Sequence, residues 1–503
     1  MEIIETRVLC IGSGFSGLAV GIGLLRKGIR DFIIIEKASQ IGGTWRDNTY
    51  PGCACDTPSH VYSFSFARNP SWSRVFAEQP EIQAYLLDVA ERFSIIPHIH
   101  FETDAIKSTW DNGLQRWVVE TNRGRYHAQF LVLGQGPLHE AQIPKIPGLD
   151  SFAGTTFHSS RWRHDYDLRG TRVAVIGTGA SAIQFVPKVQ PLVEKLFVFQ
   201  RRAAWVMPKL DRTITPLEKW GLKHVPGLLG AVSTALYLSA EPLQLAQRRP
   251  ALVRQVQRIA HWHLRRQVPD ATLRRALTPK FTLGCKRILL SNTWYPAIQA
   301  PNVELVAQAA TRVTPEGIIG EDGIERKVDT IIFGTGFFVT NAAKWKTVIG
   351  RHGETLDEAW KGSPQAYLGT TCRGFPNAFV MFGPNTANGH GSALVAIEAQ
   401  ARYIVDIVAT AEREGIDTLE VREDAHRVWN EKVQAALAPT VFNTGCASFY
   451  IDANGRNSSI YPWTTLDLRR RLRRFDQAPY EIERRARGAS PYAPQASASA
   501  RKI

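Results

Sequence analysis

Cysteine is scarce in this 503-residue chain. Its six residues, Cys10, Cys53, Cys55, Cys285, Cys372 and Cys446, show neither a disulfide framework nor paired zinc spacing. Cys53-x-Cys55 could bind metal or do redox chemistry, but buried free thiols are the plainer expectation, and no metal site is expected. A secretory leader is also lacking, because MEIIETRVLCIGSG runs directly into a strand. A reducing, cytoplasmic setting fits that start. The longest uncharged stretch of the middle region, VPGLLGAVSTALYLSA (Val225 to Ala240), is shorter than the ~20 residues of a membrane span.

Charge is uneven. The chain carries +15 overall. Residues 201–280 hold 15 Lys/Arg against 4 Asp/Glu, a net of +11, and residues 466–503 hold 10 against 4, a net of +6. The rest is near neutral, so the basic character belongs to one segment and one tail. No nucleic-acid-binding module accompanies it, which argues against a nucleic-acid partner. With 44% hydrophobic and 21% charged residues, wholesale disorder is excluded.

What is present is glycine in patterned turns. RVLCIGSGFSGLAVGIGLLRKG is a buried strand, then Gly12-x-Gly14-x-x-Gly17, then a helix. Gly12 permits the tight turn, Gly14 lets a pyrophosphate approach the backbone, and Gly17 lets the helix pack on the strand. The next strand, FIIIEK, ends in Glu36, placed to accept ribose hydroxyls and to repel a 2′-phosphate. That half suits FAD or NAD. TRVAVIGTGASAIQFVPKV repeats the pattern with Gly177-x-Gly179-x-x-Ala182, but its following strand ends in Arg201 and Arg202. Guanidinium groups there suit the 2′-phosphate of NADP. A third strand, VDTIIFGTGF, ends in Gly334-Thr335-Gly336, where glycine allows close approach to a cofactor. The fold class predicted is α/β: two Rossmann-like dinucleotide-binding domains, one for FAD and one for NADP, with a helical insert and no other internal repeat.

Two further stretches carry a resemblance. Phe152-x-Gly154-x-x-x-His158-x-x-x-Trp162 lies between the two glycine turns, and GGTWRDNTYPGCACD supplies Gly42, Gly43, Trp45, Tyr50, Pro51, Gly52 and Asp56. Together they resemble the type I Baeyer–Villiger monooxygenases, within the class B flavoprotein monooxygenases, from about Val8 to Asn457. The one mismatch in the first motif is Arg163, where the family continues with Pro or Asp. Trp162 leans toward the ketone-oxidising branch over relatives that oxygenate nitrogen or sulfur. The resemblance places this motif in the linker between the FAD and NADP domains, where it couples their motion to catalysis. His158 then reads as a linker hydrogen-bonder, not a general base.

The resemblance also implies a reaction. NADPH reduces FAD, dioxygen adds to form a C4a-peroxyflavin, and a ketone becomes an ester or lactone, with sulfoxidation as a companion activity. The family's catalytic arginine maps onto Arg287 of LGCKRILL, with Asp56 pairing to position it and Lys286 on the NADP 2′-phosphate. A guanidinium suits the anions of such a reaction because it stays charged. Ser13, Thr44, Trp45, Asp56, Tyr62, Thr178 and Ser181 are expected with the glycines as cofactor contacts. A Ser-Trp pair common in the family is here Ser448-Phe449, which keeps an apolar wall but loses an indole donor. FGPNTANGHGS, Phe382 to Ser392, is expected to loop over the flavin, with its asparagines and His390 either contacting cofactor or serving turn chemistry.

Boundaries follow: 1–140 and 341–488 for the FAD domain, 141–210 (with the linker) and 284–340 for the NADP domain, 211–283 for the helical insert, and a disordered Ala/Ser/Pro-rich tail over 489–503. Val225 to Ala240 is expected as a buried helix or the lip of a substrate tunnel. Ala251 to Val268 has apolar positions at helical spacing with arginines opposite, the pattern of a core-facing helix. A basic amphipathic helix can also lie on a membrane, so weak peripheral contact with anionic lipid is a further expectation. Two other functions share parts of this pattern. One is a class B enzyme acting on sulfur or nitrogen. The other is a pyridine-nucleotide disulfide reductase, which would want a redox cysteine pair beside the first dinucleotide helix, where GGTWRDNTYPG has none. A flavin-binding protein without turnover would also fit. Small-molecule ketone and O2 are the expected partners.

Overall fold

A computed structural model describes residues 3–339, 342–389, 391–446 and 448–484. In chain order, β1 (Ile3–Ile11), α1 (Phe15–Arg26) and β2 (Phe32–Ile35) form the first strand–turn–helix unit. After α2 (Gln79–Arg92) come β3 (Ile99–His100), β4 (Ala105–Asp111), β5 (Arg116–Thr121) and β6 (Arg125–Leu133). The second unit comprises β7 (Thr155–His158), β8 (Arg172–Ile176), α3 (Ala182–Val189) and β9 (Lys195–Phe199). Three helices follow: α4 (Pro216–His224), α5 (Leu228–Gln247) and α6 (Pro250–Gln267). Then come β10 (Val303–Val306), β11 (Thr330–Phe333), β12 (Val348–Ile349), β13 (Ala378–Val380) and the long α7 (Ala393–Glu414).

The strands form two main sheets. One has the order β12-β4-β5-β6-β1-β2-β3, with β13 also on β6; the other has the order β10-β9-β8-β11-β7. All pairs of the second sheet are parallel. β8 and β9 bury all but their first residue, and β11 is buried throughout, as a parallel sheet covered on both faces requires. The tail beyond residue 484 and His390 lie outside the described residues.

The two units share one local geometry. Gly12 N–H donates to the Ile35 carbonyl, and Gly134 N–H to that of Ile11. In the second sheet Gly177 N–H donates to Phe199 and Gly334 N–H to Ile176. Each glycine turn is thus laced to its neighbouring strand and to the end of a third. A Cβ on Gly17 would stand 2.0 Å from the Gly12 carbonyl oxygen, and one on Gly177 would stand 2.4 Å from that of Gly334. Only glycine lets the chain pass there, and both Gly12 (φ 99°) and Gly177 (φ 106°) are left-handed. On the far side α7 packs on α1, with Val405 against Gly23.

Two expectations need correction. Val225 to Ala240 is not a buried apolar helix: α5 buries Ser233, Glu241, Gln244 and Gln247, leaves Leu229, Leu236 and Leu243 half-buried and exposes Leu228, Leu238 and Leu245. α6 faces the core as expected, with Val253, Ala260 and Leu264 in it and the arginines outside, but it also exposes Leu252, Ile259 and Trp262. Nothing in a periodicity says which side of an insert meets the rest of the fold. The cysteines also divide. Cys10, Cys53, Cys55 and Cys372 are buried free thiols, whereas Cys285 and Cys446 form a disulfide, their Cα atoms 6.2 Å apart across 161 residues of chain. That pairing arises from two loops meeting, which spacing does not encode. A bridge closing so long a segment restricts the unfolded chain, commonly by about 2–4 kcal/mol of stability. Cys446→Ser is therefore expected to lower the guanidinium unfolding midpoint while leaving the far-UV circular dichroism unchanged. An unaltered midpoint would show that the bridge adds no stability.

Candidate active site

The carboxyl ends of both sheets open onto one cleft of about 1210 Å³. Gly12 and Gly14 line it on one side and Gly177, Thr178, Gly179 and Ser181 on the other, with Gly334, Thr335 and Gly336 between. This is the switch-point crevice where open α/β sheets bind ligands. Thr44, Trp45 and Tyr62 form part of the first wall, and the Trp45 indole donates to the Tyr62 hydroxyl at 2.9 Å. Ser13 and Gly17 stand behind the first turn.

Glu36, buried at the end of β2, gathers four donors. Oε2 accepts from the Ser13 N–H (2.9 Å) and Oγ (2.8 Å), and Oε1 from Arg46 Nη1 (2.8 Å) and the Ala38 N–H (3.0 Å). A ribose here must share or displace the Arg46 contact. Arg46 also binds Asp47 at 2.8 Å, and Asp47 pairs with His139, which meets Lys37. Burial opposes the Asp47 charge, but the hydrogen bonds of His139 and Arg46 outweigh it and bring the carboxyl down to about 2. Sequence reasoning missed this chain of charges, although the Arg-Asp of GGTWRDN was its visible signal. Also missed was Lys344, on the cleft wall and bonded to the Gly136 carbonyl, whose ammonium burial pulls down to about 8.

The second turn meets the opposite electrostatics. Arg201, Arg202 and Lys286 line the same cleft and have no ion-pair partner among the described residues. Burial, then Arg202 and Arg201, lower the Lys286 pKa. Two cations just after β9 and one from the turn at Gly284–Arg287 thus face the cleft together without an ion-pair partner among the described residues.

Asp56 and Arg287 come together on this cleft from 231 residues apart. The contact is bidentate, Nε to Oδ2 at 2.7 Å and Nη2 to Oδ1 at 2.6 Å. Their side chains stay 28% and 34% exposed, and Arg287 is held still more firmly charged, chiefly by Asp56. Tyr450 lies alongside, its phenol pushed up to about 12 by burial against the opposing pull of Arg287. The disulfide ties Cys285, two residues before Arg287, to the loop that presents Ser448, Phe449 and Tyr450 to the cleft. Phe449 sits edge-on to Tyr450, ring centroids 4.5 Å apart. In the Phe382–Ser392 loop, Asn388 lines the cleft and caps its own turn through the Gly391 N–H, while Asn385 bonds the Asn457 and Ile460 carbonyls.

Phe152, Gly154, His158 and Trp162 do not line the cleft. They form a strap along β7, at the edge of the second sheet. A Cβ on Gly154 would lie 2.3 Å from the Asp329 carbonyl oxygen, and Trp162 packs on Phe157 and Phe185. Phe152 packs against the second-sheet core. His158 Nδ1 accepts from the Ser160 N–H at 3.2 Å and contacts its hydroxyl at 2.9 Å.

Fold and cleft together define an oxidoreductase with two glycine turns of the dinucleotide-binding type on one cleft. Residues 9–225 match the family model described as pyridine nucleotide-disulphide oxidoreductase. The chain is 46% identical over 485 residues to a Baeyer–Villiger monooxygenase of Streptomyces coelicolor, covering 96% of this chain and 93% of that one. It is 43% identical over 480 residues to a Baeyer–Villiger monooxygenase of Pseudomonas aeruginosa, covering 95% and 91%. Cyclohexanone monooxygenase from Rhodococcus sp. Phi1 bound to NADP+ superposes with a TM-score of 0.86 at 27% identity, over 96% of this chain and all of that one. This protein belongs to the Baeyer–Villiger monooxygenase family. Disulfide reductase chemistry does not suit its thiols: Cys53 and Cys55, on the cleft, are pushed by burial up to about 12, far from a reactive thiolate.

Burial holds the His158 imidazole down at about 4, against an ordinary 6.5. As pH falls below 6.5 the unfolded chain protonates first, so stability declines between about 6.5 and 4, by at most about 3 kcal/mol from this group. His158→Asn keeps an acceptor for Ser160 without titrating. The variant is expected to lose less stability than wild type between pH 7 and pH 5 in urea melts; equal losses would show that His158 titrates alike in both states.

Proposed function

We propose that this protein is a flavoprotein monooxygenase that uses NADPH and O2 to convert ketones into esters or lactones, with sulfoxidation as a companion activity. One ketone, one O2, one NADPH and one proton yield one ester, one water and one NADP+. The observation that carries this reading is the bidentate Asp56–Arg287 pair on a cleft shared by two glycine turns of opposite electrostatics. The turns fit the groups: a Cβ on Gly12 would crowd the Gly134 carbonyl oxygen at 3.0 Å, and Arg201, Arg202 and Lys286 gather on the cleft with no ion-pair partner among the described residues.

Bound FAD supplies the oxygen activation. The chain's own residues bind, orient and stabilise. The first turn and Glu36 hold FAD, and the second turn with Arg201, Arg202 and Lys286 holds NADPH by its 2′-phosphate. Arg287 presents a fixed positive charge to the negative charge that develops at the reacting oxygens. Its pKa lies far above any working pH, so it stabilises without exchanging its proton. Asp56 aims the guanidinium through two parallel hydrogen bonds and leaves Nη1 free of that contact. Tyr450 and Phe449 limit water on that side. We place the reaction in the cytoplasm.

Two measurements test this. NADPH is expected to exceed NADH by at least tenfold in kcat/KM, about 1.4 kcal/mol, with Arg201→Ala raising KM for NADPH far more than for NADH. Equal effects on the two cofactors would remove the phosphate assignment. Arg287→Ala should retain bound FAD yet lose ester formation by about 3–4 kcal/mol or more, with Arg287→Lys recovering part of it. Near wild-type ester formation by Arg287→Ala would show that the charge lies elsewhere, and a ketone panel yielding only sulfoxides or N-oxides would move the enzyme to the heteroatom-oxidising branch.

A further inference from the structure

The helical insert presents an unusually large apolar surface to water. On α5 the outward positions Leu228, Ala231, Ala235, Leu238, Pro242 and Leu245 recur at three- and four-residue steps and form one apolar stripe. Its buried face is polar, and Glu241 Oε2, Gln244 Oε1 and both amide atoms of Gln247 have no hydrogen-bond partner among the described residues. The same face is tied to the body of the protein by Gln244 Nε2, which donates to the Tyr461 carbonyl at 3.2 Å, and by Thr465, which donates to Glu241 Oε1. Half of the twenty exposed large hydrophobic residues in the described chain fall between Leu210 and Trp262. Leu238 (46% exposed), Leu245 (48%) and Trp262 (53%) are among them.

Basic residues border this apolar surface. Arg254, Arg258, Arg265 and Arg266 are exposed on α6 and have no ion-pair partner among the described residues; Arg266 lies over the Trp262 ring. Acidic compensation is sparse, because the surrounding 201–280 segment is +11. A second copy of this chain docked symmetrically would set arginines against arginines, which opposes self-association here. The complementary partner is both apolar and anionic. No helix among the described residues is long and apolar enough to cross a membrane. A helix of this kind, with Trp and Leu on one side and Arg beside it, lies in the plane of a lipid interface.

We propose that α4, α5 and α6 form a docking face for anionic phospholipid membranes. Leu238, Leu245 and Trp262 enter the headgroup–acyl boundary, and the α6 arginines bind lipid phosphates. The inner side of α5 places Gln247 against Gly284 and Gly389, next to the turn that carries Arg287. Docking therefore sets the bilayer about one helix diameter, ~10 Å, from the cleft wall. Apolar molecules dissolved in the membrane would enter by this side.

Flotation of the FAD-loaded protein with phosphatidylcholine vesicles, with and without phosphatidylglycerol, reads the inference directly. Binding is expected on the anionic vesicles at low ionic strength and to weaken at least about tenfold at ~0.5 M salt, where screening shortens to a few Å. The Leu238→Glu/Leu245→Glu double variant should lose binding about tenfold or more with FAD content unchanged, and Arg254→Glu/Arg258→Glu should lose the salt dependence. A chain ending at Arg484 should still bind. The inference is overturned if wild type fails to float at low ionic strength, if the leucine variant floats as wild type does, or if removing the tail alone abolishes binding. It is equally overturned if light scattering shows a wild-type dimer that the leucine variant turns into a monomer while neither binds vesicles, since the face then belongs to a second copy.

Discussion

Backbone passing over backbone without a side chain between is the constraint on which this structure rests. At Gly17 the helix start presses on the Gly12 carbonyl, and at Gly177 the turn presses on the end of β11. A methyl group at either place would push helix from strand by more than an ångström. Because the approach is tight, each glycine turn and the helix start behind it meet the cleft beneath a strand end. The other cleft features hang on the ends of those same strands: Glu36 after β2, Arg201 and Arg202 after β9, and Gly334 to Gly336 after β11.

The cleft is electrostatically divided. Around the first turn charges are balanced in a chain from Lys37 and His139 through Asp47 and Arg46 to Glu36, so a cofactor enters a neutralised, hydrogen-bonded wall. Around the second turn three cations stand without an acid, and Lys286 carries the cost in a lowered pKa. Between them Arg287 is oriented by a carboxylate that does not discharge it. An unpaired lysine and a carboxylate-paired arginine thus stand side by side on the same short turn, Lys286 and Arg287. The disulfide at Cys285 fastens that turn to the loop bearing Tyr450.

The insert follows different physics. Elsewhere the chain buries apolar surface and exposes charge, as the first core does with β1, α1 and α7. The fully buried side chains of α5 are polar and its outer stripe is apolar, while α6 faces the core with Val253, Ala260 and Leu264. The net positive charge of 201–280 stays on the outside of a region whose inside touches the Arg287 turn.

Much of the fold was legible because its signals are local. Strand hydrophobicity, glycine at left-handed turns and a charged residue one strand later all lie within about thirty residues, and the chain's steric limits act over that range. Those signals placed two parallel-sheet units and their glycine turns in the correct segments. What the tertiary structure decided are encounters between distant segments. Asp56 reaches Arg287 across 231 residues, Cys285 reaches Cys446 across 161, and His139 reaches Asp47 across 92. The outward face of α5 belongs with these, because a helical period shows that a stripe exists but not which side the body of the protein covers. Contact geometry across long separations depends on how sheets and loops pack together, and no residue spacing carries that information.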